Sequence, residues 1–102
     1  MGNLFSAVTP HVYNVELTEA DTEYSQALPA GCKRFSVDIR AGVSTNNFRL
    51  AFDTGKVATP TAPYLQYACG DVQLFESDLN ASLTLYIAGS HAGDVAQILA
   101  WV

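Results

Sequence analysis

Residues 33–40 read Lys-Arg-Phe-Ser-Val-Asp-Ile-Arg (KRFSVDIR), and the order of these eight decides the fold class. Phe35, Val37 and Ile39 are apolar, while Ser36, Asp38 and Arg40 are polar. Successive side chains of a β-strand point to opposite faces, so this alternation gives one dry face and one wet face.

The same pattern returns on both sides. Toward the N-terminus, LPAGC (residues 28–32) is a turn: Pro29 presets φ and Gly31 accepts φ > 0. Before it, HVYNVELT (residues 11–18) sets Tyr13, Val15 and Leu17 on one face and Asn14 and Glu16 on the other. The polar stretch 19–26 links the two and becomes strand-like near Tyr24. Toward the C-terminus, FRLAF (residues 48–52) alternates again, with Phe48, Leu50 and Phe52 inward and Arg49 and Ala51 outward. The turn-rich segment 41–47 between these two strands predicts an antiparallel pair.

DTGK (residues 53–56) is a tight turn, and VATPTAP (residues 57–63) carries two prolines that confine it to an edge or a surface loop. YLQYAC (residues 64–69) and VQLFES (residues 72–77) are strands joined by Gly70-Asp71, and 78–82 is a break. LTLYIA (residues 83–88) turns Leu83, Leu85 and Ile87 inward and Tyr86 outward. GSHAG (residues 89–93) is a turn, and DVAQILAWV (residues 94–102) is apolar on both faces, as in a central strand or one covered by a neighbouring subunit. No segment keeps a helical period.

Seven to eight short strands with frequent turns predict an all-β protein, an antiparallel β-sandwich (jelly-roll-like) or a small barrel. Residues 1–10 read as an extended N-terminal arm and residues 11–102 as one domain. Phe35 is expected to lean on the opposite sheet, against Phe48, Leu85 or Trp101.

The 102 residues are about half hydrophobic, 15% charged and carry a formal charge of -5. That composition supports a packed core and argues against disorder. Five basic residues, Lys33, Arg34, Arg40, Arg49 and Lys56, lie among ten acidic ones. Nucleic-acid binding needs clustered cations to meet phosphates, so direct contact with DNA or RNA is not expected. No apolar run reaches the length of a membrane span, and with no basic stretch followed by an apolar one at residues 1–30, Sec export is not expected. MGNLFS fits the loose pattern for myristoylation of Gly2, but no polybasic stretch follows to supply a second anchor. Cys32 and Cys69 read as reduced, apolar filler rather than a disulfide.

Candidate chemistry is thin. Ser90, His91 and Asp94 share one turn, whereas a nucleophilic triad normally converges from separate segments; a polar hairpin tip is the expectation. His11, Cys32, Cys69 and His91 lack the close pairing of a zinc site. Thr54-Gly55-Lys56 lacks the earlier glycine of a phosphate loop, since Leu50 stands there. Asn80-Ala81-Ser82 fits a glycosylation sequon but reads as a loop. No enzymatic activity and no cofactor are expected.

QALPAGCKRFSVDIR, FRLAFDTGKVATPTAPYLQY, LTLYIAG and VAQILAW resemble segments of small β-rich structural proteins from the virions of tailed bacteriophages and prophages. The shared features are a Leu-Pro-x-Gly turn before an alternating strand, an Arg-x-Ala-Phe strand (here Arg49-Leu50-Ala51-Phe52) followed by Thr-Gly-Lys-Val, a Pro-Tyr-Leu segment, a Leu-Tyr-x-Ala strand and a final strand with Trp. The resemblance spans residues 26–102. It implies a non-enzymatic head decoration (cement) protein that bridges coat subunits, assembled in the bacterial host's cytoplasm and resident in the virion. The alternatives are a tail or head–tail accessory protein and, from another class, a carbohydrate-binding β-sandwich module. The implied partners are the major capsid protein or other virion proteins, with self-association into a trimer or ring. The residues expected at such contacts are Leu4 and Phe5 in the arm and Tyr64 and Tyr86 on outward strand faces.

Overall fold

The computed structural model describes residues 9–40, 47–70, 72–76 and 83–102. The described residues form eight strands: β1 (Pro10–Leu17), β2 (Tyr24–Ala27), β3 (Arg34–Arg40), β4 (Asn47–Ala51), β5 (Leu65–Ala68), β6 (Gln73–Glu76), β7 (Thr84–Gly89) and β8 (Asp94–Trp101). Among the described residues there is no helix. Two four-stranded antiparallel sheets result, ordered β1-β8-β3-β6 and β2-β7-β4-β5. They are called the β8 sheet and the β7 sheet below.

The pairing is nested. β1 lies against β8, β2 against β7, β3 against β6 and β4 against β5, each antiparallel. The chain therefore behaves as one long hairpin that has been folded over on itself. The fold-over is closed by two further contacts, β3 with β8 and β4 with β7. Backbone bonds carry the ladders past the strand ends: Thr9 and Val102 exchange bonds of 3.2 and 3.0 Å, and Leu28 donates to Leu83 at 2.7 Å.

Period-two alternation explains which face each strand buries. On β3, Phe35, Val37 and Ile39 are buried, with partly exposed neighbours between them. They join Leu17, Ala96, Ile98 and Ala100 from the same sheet and Phe48, Leu50, Leu85 and Ile87 from the other in one buried cluster. Each large apolar side chain withdrawn from water contributes roughly 1.5–3 kcal/mol, so this shared layer is the main stabilising element. Gly31 stands at φ 81°, in the turn that its sequence predicts.

Four expectations need correction. First, β3 and β4 are not a hairpin pair. They belong to different sheets, so the chain crosses from one sheet to the other between them. Second, the turn at 90–93 likewise joins strands of different sheets and is not a hairpin tip. Third, Phe35 does share the core with Phe48 and Leu85, but its closest aromatic neighbour is Phe75, stacked at 4.9 Å from the adjoining β6. Trp101 lies in Phe35's own sheet, on the opposite face, with the Arg34 guanidinium 5.1 Å from its ring. Fourth, FRLAF turns Phe48 and Leu50 to the shared core and Arg49 and Ala51 away from it as expected, but facing outward does not mean exposed. Arg49 and Ala51 are buried as well, and Phe52, beyond the strand end, is 42% exposed.

The reason for the fourth correction is the connection between β4 and β5. It crosses the outer face of the β7 sheet, where Val57 packs against Ala51 and Ala88, with Tyr64 and Tyr86 alongside. Small side chains on two neighbouring strands let the loop's backbone come close. Arg49 then holds it: Nε donates to the Val57 carbonyl at 2.6 Å, and Nη2 donates to the Asp21 carboxylate at 2.7 Å and the Ala58 carbonyl at 3.4 Å. The Glu23 carboxylate accepts from the Thr54 hydroxyl at 2.9 Å and from the Gly55 amide at 2.8 Å. A buried guanidinium is tolerated because carbonyls and a carboxylate replace its water.

Candidate protein-interaction surface

Among the described residues, the outer face of the β8 sheet has no such cover. Directly paired residues share a face, so the registers define rows across the sheet, two spanning all four strands and two spanning β1, β8 and β3. One row is Pro10, Trp101, Arg34 and Glu76. The next is Val12, Leu99, Ser36 and Leu74. Asn14, Gln97 and Asp38 form a third, and Glu16, Val95 and Arg40 a fourth.

Val12 is 68% exposed and Leu74 62%, at opposite edges of the sheet. Leu99, Trp101 and Val95 are half-buried between them. Val72, two residues before Leu74, is also exposed. Scattered apolar side chains on a surface need no explanation, but a row that crosses a whole sheet is a candidate contact surface. Two polar side-chain atoms of this face, Arg34 Nε and Asp38 Oδ1, are shielded from water with no hydrogen-bond partner among the described residues.

A second feature lies at the edge of the β7 sheet. A pocket of about 260 Å³ is lined by Leu50, Ala51, Phe52, Asp53, Pro63, Tyr64 and Leu65. Phe52 meets Phe75 edge-on at 6.3 Å, which links the pocket to the Phe35–Phe75 stack across the gap between the sheets.

The structure thus brings two of the expected contact residues together. Tyr64 and Tyr86 flank the same small cluster around Val57, and Tyr64 also lines the pocket. Leu4 and Phe5 lie outside the described residues, as do Gly2 of the myristoylation pattern and the sequon Asn80–Ser82. The apolar row from Val12 to Leu74 was not picked out from sequence. The available signal was β8, whose Val95, Leu99 and Trp101 are apolar on the face away from Ala96, Ile98 and Ala100.

The remaining chemical candidates have structural roles. The Ser90 hydroxyl accepts the Asn47 amide at 2.9 Å, the Ser90 amide donates to the Asn47 carbonyl at 2.9 Å, and Ser90 Oγ lies 3.0 Å from His91 Nδ1. Ser90 therefore fastens the turn after β7 to β4. Asp94 is buried at the start of β8, opposite Leu17. Among the described residues, no three His, Cys, Asp or Glu side chains are gathered to hold a metal ion. Cys32 and Cys69 are free thiols in the core. Burial pushes the Cys32 thiol pKa up. Burial pushes that of Cys69 up to about 11, with Asp94 and Asp38 adding to the effect. Both thiols are therefore protonated and unreactive at neutral pH.

No protein-family model, curated protein or solved structure matches the chain.

Proposed function

We propose that the two sheets form a jelly-roll sandwich and that the protein is a non-enzymatic structural component of a tailed-phage virion, a head decoration protein that bridges coat subunits. The observation that carries the reading is the nested pairing of first strand with last, second with seventh, third with sixth and fourth with fifth. Rolling up such a ribbon produces the double-Greek-key jelly roll, an architecture used in viral capsid and lectin domains. The fold-level analogy is joined by the resemblance of residues 26–102 to phage structural proteins and by a sheet face on which Val12, Leu74, Leu99 and Trp101 are apolar, suited to contact with proteins. An extended arm at residues 1–10, with Leu4 and Phe5 as docking side chains, belongs to the same reading. A bridging protein acts by burying surface across neighbouring subunits, and a standard contact buries about 1,600 Å² in total.

Quantitative mass spectrometry of purified virions tests this. Hundreds of copies per particle support a decoration protein. A dozen or so would move it to the tail or head–tail connector, and its absence from virions would overturn the virion reading.

A carbohydrate-binding module is the second reading, favoured by one observation: Phe52 and Tyr64 line a pocket together with the Asp53 carboxylate. Aromatic faces stack on the apolar faces of sugars, and a carboxylate accepts hydrogen bonds from their hydroxyls. Specific hits on a glycan array that disappear in Tyr64→Ala would support it.

A further inference from the structure

The geometry points to the outer face of the β8 sheet as a self-association surface, occupied by the same face of a second copy related by a two-fold axis parallel to the strands. This goes beyond the virion reading and does not depend on it.

The argument rests on which residues such an axis brings together. A two-fold axis lying in the contact plane and parallel to the strands keeps each row opposite itself and exchanges its left and right ends. β1 then faces the partner's β6, and β8 faces the partner's β3. In the first row, Trp101 meets the partner's Arg34, repeating between copies the guanidinium-on-indole contact already made within one. In the second, Val12 meets the partner's Leu74, so two strongly exposed apolar side chains of the face cover each other. In the third, the Gln97 carboxamide stands over the partner's Asp38. In the fourth, Val95 meets the aliphatic stem of the partner's Arg40. No like charges meet in any row.

The other in-plane axis, perpendicular to the strands, reverses the row order. It sets Arg34 against the partner's Arg40 and leaves Val12 opposite the partner's Asn14. Juxtaposed like charges are costly at an interface, so the parallel axis is the favoured one. An interface of this kind is isologous and closes at two copies, in contrast to the trimer or ring expected from the resemblance.

The size of the face sets the strength. Four strands at about 4.8 Å spacing and four rows along them give a footprint of roughly 19 by 27 Å, or about 500 Å² per copy. Roughly 1,000 Å² for the pair is near the lower limit for a specific contact. Association should therefore be reversible and in the micromolar range.

Sedimentation velocity of the full chain from about 1 to 100 µM reads this directly. The expected result is a shift from monomer to dimer across that range. The double variant Val12→Arg/Leu74→Arg should remain monomeric with an unchanged thermal midpoint, because both side chains are exposed in the single copy. A monomer at the highest concentration overturns the proposal, and so does a dimer that survives both arginines. The axis is tested separately by mixing Val12→Cys protein with Leu74→Cys protein under mild oxidation; the native cysteines are buried and do not compete. A mixed cross-linked dimer supports the parallel axis. Cross-linking of Leu74→Cys with itself in place of the mixed product overturns it.

Discussion

On β4, Arg49 and Ala51 point away from the shared core and are nevertheless buried; on β1 and β6, Val12 and Leu74 point away from the same core and are open to water. The two sheets present similar inner faces. They differ in what lies outside. The β7 sheet carries small outward side chains, Ala51 and Ala88, and a loop has settled on them, with Val57 inserted and Arg49 as its clasp. The β8 sheet carries larger apolar outward side chains and no loop from the described residues covers its central row. The more polar residue type is thus the buried one. Burial of an outward position is decided by the neighbouring chain, not by the residue's own hydropathy, provided that a charged group finds replacements for its water.

This contrast can be broken in several places. The largest effect should come from the layer both sheets share. Phe48→Ala empties a fully buried position and should cost about 3–5 kcal/mol in urea unfolding. Loss of under ~1 kcal/mol there would mean that the sheets do not depend on a common core. Arg49→Ala comes next, at about 2–4 kcal/mol, because the Val57 carbonyl and the Asp21 carboxylate lose their donor. Its signature should be local: faster amide exchange in the 54–61 stretch, with the β1–β8 ladder unchanged. Uniform acceleration across the chain would argue that the loop is part of the core. Asp21→Asn sharpens the point. Asp21 is the exposed end of that ion pair, its side chain 59% accessible, so the loss should stay below about 1 kcal/mol and shrink further in high salt. The smallest effect belongs to the bare sheet. Val12→Ser should change the stability of the single copy by no more than about 0.5 kcal/mol, measured at a concentration where the protein is monomeric.

The strands themselves were legible. KRFSVDIR, HVYNVELT and LTLYIA state their faces in the alternation, and Phe35, Val37, Leu85 and Ile87 are buried as that alternation requires. Partner choice was not legible, because a period of two specifies a face and says nothing about which strand lies alongside. Segment 41–47 looks like a hairpin connection, yet β3 finds β6 and β8 while β4 finds β5 and β7. The central place of β8 could be read from its two apolar faces, and it does lie between β1 and β3. The clasp around Arg49 could not, since its acceptors are mostly backbone carbonyls, which every residue carries. A faint signal was present in Ala51 and Ala88, small residues where a solvent-facing strand usually carries longer polar ones, together with the lone Val57 among turn formers. Tyr64 and Tyr86 were singled out one by one as outward aromatics; their meeting at one cluster follows from the loop's path, not from their spacing.

The pairing of β1 with β8 also bears on how the protein is made. Until the ribosome has released the segment Asp94–Trp101, β1 and β3 have no strand to bridge them, and the sheet they belong to stays open along its middle. Contacts between such distant parts of a chain form slowly, because a long loop must close before any of them is gained. The nascent chain therefore exposes sticky strand edges until that segment has emerged. A burst of translation that crowds many half-made copies together should yield inclusion bodies, and slower expression at lower temperature should yield native protein.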